Sequence, residues 1–231
     1  MAKAFSRRGA LRMLAAAPFG AALAGCSDLT MIGGDAGRDA GRALEDAAGP
    51  LDAGACEPTT RDALGPFFED GAPMRMLIAA PEEPGERLLV EGVLVDAADC
   101  ARPLGGYVID VWQADAAGNY YQAATTAYRL RGRMATGADG RFAIESIKPG
   151  YYETSTGPRP AHLHLRVYAP GAADRLVTQI YFEGDPFLGP ADGCQPPTCF
   201  SDDPARIIRL DPARVGGVEG LRGALRLVVP S

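Results

Sequence analysis

Arg159-Pro160-Ala161-His162-Leu163-His164-Leu165-Arg166-Val167-Tyr168-Ala169 is the stretch on which the reading of the whole chain turns. Successive side chains of an extended strand point to opposite faces. Leu163, Leu165 and Val167 therefore share one face, suited to a core, and His162 and His164 share the other. A strand with one apolar face calls for a second layer packed against it. The chain holds 2 histidines in all, and both are here. Two imidazoles on one strand face can chelate one metal ion, although a bare His-x-His is equally compatible with two histidines that serve only the strand.

Working outward, residues 87–96, 107–114, 141–147, 161–169, 176–182, 206–210 and 224–229 all have strand composition. Turn signals separate them: Asp139-Gly140 precedes one strand, and Lys148-Pro149-Gly150 ends it where a proline would interrupt a ladder. The 29 glycines and 19 prolines suit a turn-rich β protein better than a helical bundle. No segment sustains helical periodicity over three turns, and there are neither internal repeats nor a glycine-rich phosphate loop. The expected fold is all-β, a β-sandwich of about seven to eight strands with long active-site loops.

The formal charge of -6 provides no basic footprint, so nucleic acid is not an expected partner. Residues 1–26 read as an export signal. Lys3, Arg7, Arg8 and Arg12 precede the apolar run 13–23, which is too short for a typical membrane span. Ser6-Arg7-Arg8-Gly9-Ala10-Leu11-Arg12 resembles a twin-arginine motif, with Ala10 where a bulky apolar residue is usual. Leu23-Ala24-Gly25-Cys26 resembles a bacterial lipobox, which implies acylation at Cys26 and a membrane contact through a lipid anchor. Residues 27–55 are rich in Ala, Gly and Asp and read as a tether, leaving 56–231 as the folded domain of an exported, periplasmic or cell-envelope lipoprotein. Setting Cys26 aside, Cys56, Cys100, Cys194 and Cys199 make an even number in an oxidising compartment, which allows two disulfides in three connectivities. Sequence proximity favours Cys194 with Cys199, leaving Cys56 with Cys100. A cysteine zinc site is disfavoured, because there is no Cys-x-x-Cys pair and neither histidine lies near a cysteine in sequence.

Two tyrosine pairs sit where loops leave predicted strands, Tyr120-Tyr121 and Tyr151-Tyr152. With their surroundings they carry a family resemblance. Val111-Trp112-Gln113-Ala114-Asp115-Ala116-Ala117-Gly118-Asn119-Tyr120, Gly140-Arg141-Phe142, Ile147-Lys148-Pro149-Gly150-Tyr151-Tyr152, Arg159 to His164 and Thr178-Gln179-Ile180-Tyr181-Phe182-Glu183-Gly184-Asp185-Pro186 occur in order. Together they resemble the intradiol ring-cleavage dioxygenases, with wording closest to the protocatechuate 3,4-dioxygenase branch; Gly65-Pro66-Phe67-Phe68 resembles that branch's N-terminal motif. The loop from Tyr152 to His162 is shorter than in the protocatechuate enzymes and lacks their tryptophan.

The resemblance implies a non-haem Fe(III) centre held by Tyr120, Tyr152, His162 and His164. It implies a small aromatic diol and O2 as reactants, Arg159 and Gln179 as catalytic residues beside Tyr152, and Gly65, Pro66 and Arg159 at the substrate. It also implies a homo-oligomer or a second type of subunit. Tyr121 and Tyr151 are left to packing or to lining the pocket, since strand neighbours face opposite ways. The residue types suit the metal: trivalent iron prefers anionic oxygen donors, and a bound cation lowers the pKa of a phenol strongly. Two other readings compete with this one. A lipid-anchored β-sandwich binding module would keep the scaffold without turnover, and a cupin-like metal enzyme would need histidines that this chain lacks.

Overall fold

The computed structural model describes residues 56–169, 171–172 and 174–230. The expected export signal (1–26) and tether (27–55) lie outside the described residues. Twelve strands follow in chain order: β1 (Arg87–Asp96), β2 (Asp99–Pro103), β3 (Val108–Gln113), β4 (Arg131–Ala135), β5 (Arg141–Ile147), β6 (Tyr152–Thr154), β7 (Gly157–Arg159), β8 (His162–Tyr168), β9 (Asp174–Phe182), β10 (Ile207–Ile208), β11 (Leu210–Val215) and β12 (Val218–Val229). Among the described residues one four-residue α-helix, α1 (Ala123–Thr126), interrupts them.

Two five-stranded sheets form the β-sandwich. In the first, β1 pairs in parallel with β12, whose other edge carries β11; the far side of β1 pairs with β5 and, at Val95 and Asp96, with β2. The second runs in the order β10-β9-β8-β3-β4, and β6 and β7 make a separate two-stranded ribbon. The alternation read from the sequence is what packs the layers. Leu163, Leu165 and Val167 of β8 are wholly buried, in one cluster with Ile109 and Val111 of β3 and with Leu88, Val90, Leu225 and Leu227 of the other sheet. Each such side chain contributes roughly 1.5–3 kcal/mol when fully buried. The disulfides pair Cys56 with Cys100, Cα atoms 5.8 Å apart, and Cys194 with Cys199, 5.5 Å apart.

The expected segment 206–210 divides. Pro204–Arg206 forms a 3-10 turn, Ile207–Ile208 adds β10 to the edge of β9, and the chain then crosses to the other sheet as β11. Arg206 leaves the alternating pattern because its wholly buried guanidinium pairs with Asp62 and Asp203. The strands without a clear apolar signature are edge strands or short ones. β4 reads RGRMA, and β11 carries Pro212, which an edge strand tolerates because one side of its backbone needs no partner.

Candidate metal centre

The sandwich leaves the histidine face of β8 turned away from the core, and loops cover it. His162 and His164 are 2% and 1% exposed. Their cross-strand partners share that face: Tyr181 stands opposite His162, and Gln179 and Trp112 flank His164 on either side. The loop after β3 brings in Tyr120, and the β6–β7 ribbon brings in Tyr152 and Arg159. Ring centroids lie 5.5 Å apart for Tyr120 and Tyr152, 5.7 Å for Tyr152 and His162, and 6.1 Å for Tyr120 and His164.

The polar atoms converge. The Nε2 atoms of His162 and His164 are 3.1 Å apart, and Tyr120 Oη is 3.5 Å from His162 Nε2. His162 Nδ1 donates to the Pro160 carbonyl at 2.6 Å, so its neutral ring presents a lone pair at Nε2. Among the described residues, His164 Nδ1 is buried without a partner. Two nitrogens each about 2.1 Å from one ion would stand roughly 3.0–3.4 Å apart, a span this pair meets. Among the described residues no group of three His, Cys, Asp or Glu side chains could hold a metal, so an ion here needs the phenol oxygens.

The electrostatics point the same way. Burial lowers the His162 pKa to about 3, with the Arg159 charge adding to the effect. Burial, then His162, Arg159 and Arg131, hold His164 well below its usual value. Both imidazoles are therefore neutral donors. Burial raises Tyr120 well above 10, and neighbouring Tyr152 pushes it further. Burial also raises Tyr152, although the Arg159 charge opposes it. These phenols stay protonated unless a cation sits against them, which is the condition under which they would become anionic ligands.

The other expected residues take distinct places. Arg159 is buried; its Nε donates to Asp192 Oδ1 at 2.7 Å and its Nη2 to Gln179 Oε1 at 2.7 Å. The Gln179 amide donates to the Ala63 carbonyl at 2.8 Å, tying Arg159 to the loop that carries Gly65. Gly65 has φ +74°, and a Cβ there would stand 3.1 Å from His164 Cε1, so its backbone lies directly against that ring. Pro66 is exposed. Tyr121 and Tyr151 turn away from their partners: Tyr121 Oη donates to Asp115 Oδ2 at 2.5 Å, and exposed Tyr151 packs on Phe187.

Several contributors have no role in the sequence reading, although Phe67 and Asp115 stand within its motifs. Phe67 stacks on Tyr120 with ring centroids 4.1 Å apart. Asp115 Oδ1 accepts from the amides of Ala117 and Asn119, shaping the turn that delivers Tyr120. Asp192 carries no sequence signal at all. Asp115 could have been found, because Asp followed two and four residues on by turn amides is a common capping arrangement.

The β-sandwich and its loops thus bring two tyrosines over a histidine pair on one strand. Comparisons with known proteins show the family to which this fold and site belong. The "Dioxygenase" family model matches residues 64–196, and the chain belongs to the intradiol ring-cleavage dioxygenase family. It is 39% identical over 153 residues to a chlorocatechol 1,2-dioxygenase of Rhodococcus opacus, covering 56% of this chain and 58% of that protein. It is 35% identical over 135 residues to the protocatechuate 3,4-dioxygenase beta chain of Burkholderia cepacia, covering 54% and 56%. The dioxygenase domain of a dioxygenase carbohydrate-binding protein fusion from Streptomyces sp. SirexAA-E superposes with a TM-score of 0.59 at 33% identity, over 75% of this chain and 99% of that one. The match to the two curated relatives thus spans little more than half of their length.

Proposed function

We propose that the protein is a non-haem iron(III) intradiol dioxygenase that cleaves a catechol-type ring between its two hydroxylated carbons. Both atoms of O2 enter the product, a muconate-type diacid. The observation that carries this reading is the convergence of Tyr120, His162 and His164 on one buried point with Tyr152 beside it, in a chain of this family. These four residues would hold the ion. When bound there, ferric iron supplies Lewis acidity to the two catechol oxygens.

The chain's own groups have separate tasks. Tyr152 Oη lies beside the Arg159 guanidinium, and as the phenolate it would be against a bound cation it could take up a proton released by a substrate hydroxyl and become the neutral phenol. Arg159, fixed at both its Nε and Nη2 atoms, presents a permanent positive charge where negative charge builds on the ring. Gln179 keeps that guanidinium in register with the Gly65 loop. The packed rings of Phe67, Tyr120 and Trp112 keep bulk water from the imidazoles.

Two features favour a neutral catechol over a substrate bearing a carboxylate. Arg159 is committed to Asp192 and Gln179, and Arg131 to the carbonyls of Phe67 and Tyr121 and to Glu69. A ring carboxylate would have to break one of those sets. The reading extends to an exported, lipid-anchored protein, supported by the Arg7-Arg8 and Cys26 motifs and by two disulfides, which suit an oxidising compartment. No observation favours a binding module without turnover.

The test is to purify the full chain, measure iron, record the visible spectrum, and follow O2 uptake with catechol, protocatechuate and hydroxyquinol. Expected are one iron per chain, a red-brown phenolate-to-iron band, and greater uptake with catechol than with protocatechuate. Tyr152→Phe and His164→Ala should abolish uptake. A native protein with neither iron nor O2 uptake on any of the three diols would overturn the reading.

A further inference from the structure

Among the described residues one carboxylate, Asp192, is in ion-pair contact with Arg159, and it sits beside a turn closed by a disulfide. Asp192 is 4% exposed, and its Oδ1 accepts both from Arg159 Nε at 2.7 Å and from the Cys194 amide at 2.8 Å. The Gln195 side-chain amide donates to the Asp192 carbonyl. The residues around it are fastened to the β6–β7 ribbon that carries Tyr152 and Arg159. The Gly193 amide donates to the Pro158 carbonyl at 2.6 Å, and Thr156 Oγ1 donates to the Gly193 carbonyl at 2.6 Å. At Gly193 a Cβ would stand 2.4 Å from the Gly157 carbonyl oxygen, so the two backbones are in direct contact. Two residues past Asp192 the chain enters the Cys194–Cys199 bridge, a six-residue ring that limits how far the turn can open.

We propose that Asp192 is the positioning residue for Arg159, and that the Cys194–Cys199 bridge holds Asp192 in place against the β6–β7 ribbon. The physical ground is the division of the guanidinium's partners. Gln179 and Tyr181 accept only from Nη2, at 2.7 and 3.4 Å, and neither carries a charge. Among the described residues Asp192 is the acceptor at Nε and the carboxylate in ion-pair contact with the buried cation, while Asp62 acts on it only from further away. Without it the fork can pivot about the Gln179 contact, and its charge moves relative to Tyr152. A charge displaced by about 1 Å can cost on the order of a hundredfold in rate without removing any group from the site.

This inference rests on the proposed dioxygenase reading for its catalytic consequence, but the placement of Arg159 can be measured without turnover. Asp192→Asn, Asp192→Glu and the double variant Cys194→Ser/Cys199→Ser are prepared as full chains. Hydrogen exchange of the Arg159 Nε–H is followed by nitrogen-15 NMR, alongside iron content, the visible band, and kcat and KM on catechol. In Asp192→Asn, the Arg159 Nε–H should exchange at least about tenfold faster than in the wild type. The iron content and band should be kept, and kcat per iron should fall by about ten- to a hundredfold with KM nearly unchanged. Asp192→Glu should recover part of both, and the double cysteine variant should show the same faster exchange.

Wild-type exchange in Asp192→Asn overturns the positioning role, and wild-type exchange in the double cysteine variant overturns the part played by the bridge. Loss of activity only in proportion to loss of bound iron makes Asp192 a structural residue and also overturns the proposal. A wild type that cleaves no diol defeats the dioxygenase reading, while the exchange data still decide whether Asp192 places Arg159. Should Asp192→Asn fail to fold, the double cysteine variant supplies the same exchange readout.

Discussion

The indole of Trp112 lies flat against the imidazole of His164, with ring centroids 4.8 Å apart and planes within 5° of parallel. The two residues are direct cross-strand partners on β3 and β8, so the stack follows from the register of the sheet. Phe68 meets the far part of the same packing edge-on, 4.9 Å from the indole. The plane of His164 is thereby set by a ring, whereas the orientation of His162 is set by its bond to the Pro160 carbonyl. Two different restraints aim two nitrogens at one point before any ion arrives.

Trp112 is the chain's 1 tryptophan, which makes this stack observable. Iron titrated into metal-free protein should quench tryptophan emission in step with the growth of the visible band, because the indole touches a proposed ligand. Unchanged emission at full iron occupancy would separate Trp112 from the centre. Trp112→Ala should cost about 3–5 kcal/mol in a urea unfolding experiment, the usual range for emptying a buried aromatic site.

Gly118 has φ +87°, and a Cβ there would meet the Tyr151 carbonyl oxygen at 2.2 Å. Facing it, a Cβ on Gly150 would meet the Ala116 carbonyl oxygen at 2.4 Å. This backbone contact lets the Tyr120 loop and the Tyr152 loop lie side by side. Gly118→Ala must push them apart, and iron affinity should drop by about ten- to a hundredfold, the range seen when groups supporting metal ligands are disturbed. Competition with a chelator measures it; wild-type affinity would show that the loops tolerate separation.

Asp110 shares the Trp112 face of β3, and burial raises its pKa to about 6, with Arg133 and Arg166 opposing. The unfolded value is near 3.8, so the folded state holds the proton more tightly than the unfolded state does. Stability from this group is complete below pH 3.8 and is lost as the pH rises through about 6. Asp110→Asn removes that dependence. Its stability relative to the wild type should therefore improve by roughly 2 kcal/mol between acid and neutral pH, then stay level above pH 7. Denaturant titrations at several pH values test this, and a constant difference would refute it.

The two disulfides should separate stability from function. Cys56–Cys100 spans a sequence separation of 44, and Cys194–Cys199 one of 5. In the chain-entropy account, the longer loop is worth about 4 kcal/mol and the shorter about 2. Cys56→Ser/Cys100→Ser should lower the melting temperature more than Cys194→Ser/Cys199→Ser, yet leave kcat per iron closer to the wild type. The reverse order in either measurement would contradict this division.

Much of the framework was readable before any coordinates. β1 and β5 occupy the residues their strand composition marks, and the disulfides are the pair that sequence proximity favours, Cys194 with Cys199, and the pair it leaves, Cys56 with Cys100. Period-two alternation is legible because each residue's face depends only on its own strand. β2, β4 and β11 escaped because edge strands need no continuous apolar face, and the β6–β7 ribbon escaped because its residues answer to the site above it.

By itself the sequence determined which side chains could serve a metal and which strand face the histidine pair would share. Only the tertiary structure decided that Tyr120 and Tyr152 reach that face, that Trp112 lies on His164, and that Asp192 carries the charge opposite Arg159. The reason lies in the range of the interactions. Strand alternation is a property of neighbours, whereas Arg159 and Asp192, 33 residues apart, and Tyr120 and His162, 42 apart, meet through loop backbones that must touch, and no local pattern encodes such an approach.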